Sequence, residues 1–355
     1  MKIWIDILTP KQALFMDELG KRLEKKGHKV LKTTRKYEEL NKLMKLKGIE
    51  AIVVGKHGGA SPYKKLLMSS KRILKLSKLI NEWKPDIAIG FSSVEAARVS
   101  FGLSIPYFCI SDSPHAEAVS RLTVPFSKKL FTPYVIPKDC WVKFGISKSN
   151  IIQYKALDPV VWIKTHKLDL GILKLLELEK KKPVVTVRLE EIYAAYLYRK
   201  SSLETSIAIK AIEELLEENL NAQIVVLPRY KQQYLFLKSK FKNKIIVPNS
   251  PIDALSLLKL SSAFIGGGGT MNAEAALLGI PTISCFPIEP TYVEKFLIKK
   301  GLIEKILDQK KISLKILKIL KNKNLIEKNK EKAKQLLEKM EDPLQRIVNE
   351  VESLS

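Results

Sequence analysis

Asp112, His115 and Glu117 stand within six residues of one another in "SDSPHAEA". Each can take a proton, so the cluster suits a general base that strips a hydroxyl for attack on an activated carbon. Which of them would do so is open. The plain alternative is that Asp112 or Ser113 caps a helix and His115 bonds locally. A second candidate is "AFIGGGGTMNAEAALLGIPT", residues 263–282, in which four consecutive glycines link an apolar run to an alanine-rich segment. Backbone amides at a helix start form an anion site, and glycines let a phosphate approach without a β-carbon in the way. Gly267, Gly268, Gly269, Thr270, Asn272 and Glu274 are the expected contacts, with Thr270 as N-cap and Glu274 one turn in, within reach of a sugar hydroxyl. The alternative is a tight turn whose glycines only permit packing. Arg188 in "VVTVRLEE" and Arg229 in "VVLPRYKQ" each end an apolar run and suit bidentate phosphate contact.

These residues need strands to carry them. The first half alternates short apolar runs ("KIWIDI", "HKVLKTT", "IEAIVVGK", "DIAIGFSS", "IPYFCIS") with amphipathic segments of helical period. That is the pattern of a parallel, doubly wound α/β sheet. "DPVVWIKTHK" breaks the rhythm, which then resumes through "PVVTVRL", "AQIVVLPR", "KIIVPN", "AFIGGGG" and "IPTISCF". The expected architecture is two such domains facing a cleft, residues 1–160 on the acceptor side and 161–325 on the nucleotide side. Residues 326–355 are expected as helices packing across the domains. Ligands of open α/β sheets bind beyond the carboxyl ends of the strands. In "DILTPKQ" the loop residues Pro10 and Lys11 would lie there, and Ser92 with Glu95 reads as a capping box. "KHGGASP" is either a turn or a loop over the acceptor side.

On these residues the chain resembles a known group. "PIDALSLLKLSSAFIGGGGTMNAEAALLGIPTI" is similar to the donor-binding segment of GT-B nucleotide-sugar proteins, above all the non-hydrolysing UDP-N-acetylglucosamine 2-epimerases. Their S-G-G-x-x-E-E-A aligns with Gly268, Gly269, Thr270 and Glu274-Ala275. "EAVSRLTVPFSKKLFTP" matches their E-x-x-x-R-L-T segment at Glu117 and Arg121. Across its length, with "GHKV", "KPDIAIGFSSVEAAR" and "SDSPH", the chain also resembles an uncharacterised archaeal GT-B-like family. The resemblance implies a GT-B fold, diphosphate contacts from the glycine loop and ribose contacts from Glu274. It departs where the epimerases keep their acids. Their G-D-T falls on Gly90-Phe91-Ser92, the glutamate of their H-x-E-A-G-L-R falls near Cys109 to Asp112, and the histidine of their H-R-R-E falls around Arg188.

Composition narrows the classes further. The chain has 355 residues, 46% apolar and 28% charged, with a net charge of +25. No apolar run nears the length of a bilayer crossing. The N-terminus carries Asp6 inside its apolar run, so it reads as a strand and not as a signal peptide, and a cytoplasmic location follows. Cys109, Cys140 and Cys285 are widely spaced, which implies packing residues and neither a zinc site nor a disulfide framework. A strongly basic chain attracts polyanions. No zinc-finger, KH or RNP1 pattern accompanies the lysines, however, and nucleic acid is disfavoured. The helical stretch 63–81 sets Lys64, Lys65, Lys71, Arg72, Lys75 and Lys78 against leucines. It is either a solvated face or a patch for peripheral contact with an anionic membrane.

The combined expectation is a GT-B-type glycosyltransferase that takes a sugar from a nucleotide donor, UDP by the resemblance, to a lipid-linked or saccharide acceptor. It would use no cofactor and no metal. A sugar-nucleotide 2-epimerase is the alternative, and a non-catalytic polyanion binder is the third.

Overall fold

The computed structural model describes residues 1–59, 61–190, 206–218 and 220–354. Two compact units emerge, Met1–Trp162 with Glu341–Ser355, and Ile163–Met340. The first is built on seven strands: β1 Lys2–Ile7, β2 Lys29–Lys36, β3 Ile52–Lys56, β4 Ile87–Phe91, β5 Tyr107–Ile110, β6 Lys129–Pro133 and β7 Ile151–Tyr154. They lie in the order β3-β2-β1-β4-β5-β6-β7, and every pairing is parallel. The second unit carries β8 Val184–Arg188, β9 Gln223–Leu227, β10 Ala263–Gly266, β11 Thr282–Ser284 and β12 Ile303–Lys305. Their order is β12-β11-β10-β8-β9, again all parallel. These are the two doubly wound parallel sheets that the alternating sequence predicts, and they agree with the GT-B fold that the resemblance implies. "KIIVPN" differs from expectation, since it contributes only an isolated bridge between Ile246 and Val225. β12, unforeseen in the sequence, takes the opposite edge.

The central strands are covered on both faces and so read as continuous apolar runs. β1 has one buried polar member, Asp6, which is fully enclosed. Its carboxylate is held by both guanidinium nitrogens of Arg72 at 2.9 and 2.6 Å, by Ser93 Oγ at 2.6 Å and by Thr33 Oγ1 at 2.6 Å. Trp4 Nε1 donates to the same Thr33 at 2.8 Å. Four helices frame this knot: α1 Pro10–Lys25, α2 Glu38–Lys47, α3 Pro62–Trp83 and α4 Val94–Gly102. Arg72 therefore leaves the basic face expected of 63–81: it points inward from α3 and is 1% exposed. The expected capping box also shifts by one residue. Ser93 caps α4 by accepting from Ala96 N, while Glu95 is buried, 3.9 Å from Arg72.

Of the two terminal helices, Lys323–Glu338 packs in the second unit against the helix Thr270–Leu277. The last, Pro343–Glu352, belongs to the first unit. It buries Leu344, Ile347, Val348 and Val351, one stripe of helical period, and lies beside α1. Ion pairs Arg22–Asp342, His28–Glu352 and Lys129–Glu350 fasten it there. Among the described residues no helix is long and apolar enough to cross a membrane.

Candidate functional site

In the first unit, strand order reverses between β1 and β4, the place where open α/β sheets bind ligands. Gln12 fastens this point. Its Oε1 accepts from Leu8 N at 2.7 Å and its Nε2 donates to Phe91 O at 2.8 Å, tying the carboxyl ends of β1 and β4 together. Ser92, just past β4, has φ +53°, an uncommon conformation for a residue with a β-carbon. Pro10 opens α1, where its missing N–H is harmless. Next comes Lys11, a cation in the first helical turn, where the backbone dipole disfavours it. Carboxylates compensate: Lys11 Nζ pairs with Asp112 from the end of β5 and lies 2.6 Å from Asp158 Oδ2 beyond β7. It also stands 4.5 Å over the Phe91 ring.

Two carboxyl groups sharing one ammonium behave differently because their surroundings differ. Burial would raise the Asp112 carboxyl, but Lys11 overrides it with help from Ser113, and Asp112 stays below the usual carboxylate value. Its side chain keeps 23% exposure and can meet a ligand. Asp158 is 1% exposed. Burial pushes it up to about 6 against the pull of Lys11, with the Asp112 charge acting in the same direction. Tyr154 donates to its other oxygen. Burial would lower the Lys11 ammonium, yet the two carboxylates hold it above its ordinary value. Partial burial depresses the His115 imidazole, Asp112 opposes this, and Lys11 adds to it. At neutral pH the site thus holds a fixed cation, an ionised aspartate within reach of a ligand and a neutral histidine able to accept a proton.

Lys11, Asp112 and His115 therefore come together as electrostatic neighbours. Glu117 does not join them; it lies on the short helix Glu117–Arg121, 59% exposed, in an i,i+4 pair with Arg121, which is 65% exposed. The Arg121 hydrogen bond keeps its carboxyl low. The helix Glu117–Arg121 is not capped by Asp112 or Ser113: its N-cap is Ala116, without a side-chain cap. Asp158 escaped the sequence reading because "DPVVWIKTHK" presented itself as a break between domains, and Tyr154 because it ends an apolar strand run, β7. On the other side of β1, Arg35 Nη2 reaches Leu8 O at 3.4 Å. His57, in the loop after β3, is pushed down to about 4 by burial, Arg35 and Lys65. Ala60 of that loop lies outside the described residues.

In the second unit the glycine turn joins β10 to the helix Thr270–Leu277. Its tightness has specific causes. A β-carbon at Gly266 would overlap the Asn272 amide oxygen; at Gly267 it would lie 2.5 Å from Glu190 Cγ, and at Gly268 2.5 Å from the Phe286 ring. Gly269 differs: at φ +93° a β-carbon would meet only Arg229 Nη2, at 3.3 Å. The N-cap is Gly269 and not Thr270, which already belongs to the helix. Arg229 donates from Nε to Leu189 O at 3.1 Å and from Nη2 to Gly268 O at 3.3 Å, so its guanidinium lies along the turn. Arg188 ends β8 and donates to Pro228 O at 2.9 Å. Asn272 and Glu274 are both buried. Asn272 Nδ2 donates to Glu294 at 3.3 Å, so this amide serves the packing of the turn. Among the described residues no three His, Cys, Asp or Glu side chains converge as a metal-binding group.

The two parallel, doubly wound α/β units are the GT-B-like fold. The chain belongs to the DUF354 family, described as proteins of unknown function, which matches residues 1–354. An uncharacterised protein of Methanocaldococcus jannaschii is 34% identical over 305 residues, 84% of this chain and 86% of that one. Among solved structures, the Neisseria meningitidis UDP-GlcNAc 2-epimerase bound to UDP-GlcNAc superposes with a TM-score of 0.75 at 18% identity, covering 100% of both chains. The spinosyn forosaminyltransferase superposes with a TM-score of 0.66 at 12% identity, covering 100% of this chain and 99% of that one.

Proposed function

We propose that this protein is a GT-B-type glycosyltransferase that takes a sugar from a nucleotide donor, UDP being the favoured nucleotide, to a lipid-linked or saccharide acceptor. The observation that carries the donor half is the turn at Gly269. It is the one glycine of the four whose missing side chain leaves room towards an arginine and not towards a packed neighbour. A diphosphate on the first amides of the helix Thr270–Leu277 would gain from the helix dipole and from Arg229, with Arg188 on the neighbouring strand end. Glu274 is the carboxylate for the ribose hydroxyls. The Neisseria meningitidis relative in fold, bound to UDP-GlcNAc, supports a ligand of this class.

For the acceptor half, His115 is the better base. A carboxylate that is held low by Lys11 is a poor proton acceptor, whereas the imidazole is neutral and able to take a proton, with the Asp112 charge offsetting part of what burial and Lys11 cost its cation. Asp112 then orients and Lys11 fixes the local field.

Likeness to the epimerases favours the second reading, UDP-GlcNAc 2-epimerisation. Against it stands Phe91. The resemblance puts the epimerase aspartate at this position, and here a buried ring packs edge-on against Phe15 with centroids 5.5 Å apart. Calorimetric titration with UDP and UDP-GlcNAc tests the shared donor site: micromolar to millimolar binding is expected, weakened at least tenfold in Arg229→Ala. No binding of any nucleotide at millimolar concentration would refute both readings. Incubating UDP-GlcNAc alone in deuterium oxide separates them, because epimerisation exchanges the C2 proton and transfer does not.

A further inference from the structure

The outward face of α3 carries two stripes side by side. One is apolar: Tyr63, Leu66 and Leu74 are 71%, 68% and 68% exposed, and half-buried Leu67 lies among them. The other is basic: Lys64, Lys71, Lys75 and Lys78 are all exposed. The spacings i, i+3, i+4, i+11 and i, i+7, i+11, i+14 keep each stripe on its own side of a helix of 3.6 residues per turn. At 22 residues the helix is about 33 Å long. Its inward face is fixed by Arg72, Leu76 and Ile80, all buried, so the outer stripes cannot roll into the core. Until Glu82 near its end, α3 contains no acidic residue.

A tyrosine and two leucines left in water beside four lysines are more than a solvated face requires, because lysines alone would serve that purpose. A second copy of the chain would bring the same positive stripe against this one, so like charges oppose that pairing. Nucleic acid would satisfy the lysines and leave Tyr63, Leu66 and Leu74 without apolar partners. An anionic bilayer satisfies both stripes: phosphates meet the ammonium groups while the apolar side chains enter the boundary between headgroups and acyl chains.

We infer that α3 is a membrane-docking helix, lying in the plane of an anionic bilayer with its Tyr63/Leu66/Leu74 stripe inserted and its lysines on the headgroups. The inference rests on the exposed stripes of α3 and stands apart from the reaction proposed above. Co-sedimentation of the full chain with phosphatidylcholine vesicles, with and without phosphatidylglycerol, tests it. Binding is expected only to the anionic vesicles and to fall with added salt. Replacing Lys71, Lys75 and Lys78 by Gln should weaken partitioning about 100-fold, at roughly fivefold per lysine. Leu66→Ser with Leu74→Ser, which keeps every charge, should weaken it at least about tenfold. Circular dichroism of both variants confirms their fold, and either variant alone suffices for the test. Three results would overturn the inference: no binding of the native chain to anionic vesicles, binding that the serine variant leaves unchanged, or duplex DNA displacing the vesicles from native and serine variant alike.

Discussion

Replacing Arg72 by methionine probes the knot beneath the first unit's sheet. Arg72 gives Asp6 two hydrogen bonds, at 2.9 and 2.6 Å, and Val54 O a third at 2.8 Å. Both side chains are buried, at 1% and 0% exposure. Methionine fills much of the same volume, so the loss is electrostatic. Asp6 would keep only the hydroxyls of Ser93 and Thr33, and breaking a buried ion pair from one side costs about 3–5 kcal/mol. The dependence on pH gives the signature. In the native chain burial would raise the Asp6 carboxyl, but Arg72 overrides it and holds the group low. Its stabilisation is therefore present above the unfolded carboxyl's pKa of about 4 and lost only at lower pH. Without Arg72 burial is opposed only by hydroxyls, the folded pKa rises, and the penalty lifts as pH falls and Asp6 takes up a proton. Stability lost on substitution should thus be largest at pH 8 and clearly smaller at pH 5. All four tryptophans, Trp4, Trp83, Trp141 and Trp162, belong to the first unit, so urea unfolding followed by tryptophan fluorescence reads this unit alone. The double variant Asp6→Asn with Arg72→Met should recover most of the loss at pH 8. A loss below about 1 kcal/mol, or one equal at both pH values, refutes the reasoning.

Asp158→Asn addresses the other buried carboxyl. With a folded pKa raised to about 6, Asp158 contributes stability that is full below its unfolded value and fades as pH rises through about 6. The asparagine variant should lack that fade, so the stability difference between variant and native chain changes by about 1–3 kcal/mol between pH 4 and 7; parallel curves in tryptophan-monitored unfolding would contradict the assignment. Gly266→Ala should destabilise the second unit by about 1–3 kcal/mol through overpacking against Asn272, read as faster hydrogen exchange along β10.

Much of the fold was legible because it rests on local periodicity. The alternation of apolar runs with amphipathic segments placed β1 to β11 and the glycine turn, and the turn's position between strand and helix is read directly from "AFIGGGGTMNAEA". What stayed hidden depends on contacts between distant residues. Arg72 sat among lysines of the same helical stretch, and only its meeting with Asp6, far back in the chain, separates it from them. Asp158 opens a proline-containing break and looked like a connector; its chemistry appears only when Lys11 and Asp112 arrive beside it. The glycines looked like one phosphate cradle, yet Gly266, Gly267 and Gly268 are each required by a different protein neighbour, and Gly269 alone keeps the first reading. The cap of α4 was right in kind and displaced by one position, because Ser92 and Ser93 are neighbours that compete for the same backbone amide; at the glycine turn the N-cap is Gly269, without a side-chain bond, in place of Thr270.

The placement of the helix Pro343–Glu352 on α1 sets an order of events during synthesis. Most of the first unit emerges from the ribosome first, but the stripe that covers its α1 face is made only after the entire second unit. At typical elongation rates that delay is on the order of ten seconds or more. Throughout it Arg22, His28 and Lys129 lack Asp342, Glu352 and Glu350, and Arg22 has only Glu18 of its own helix. The unit with the Lys11 cluster thus begins to fold early and is completed only once the helix Pro343–Glu352 has been made.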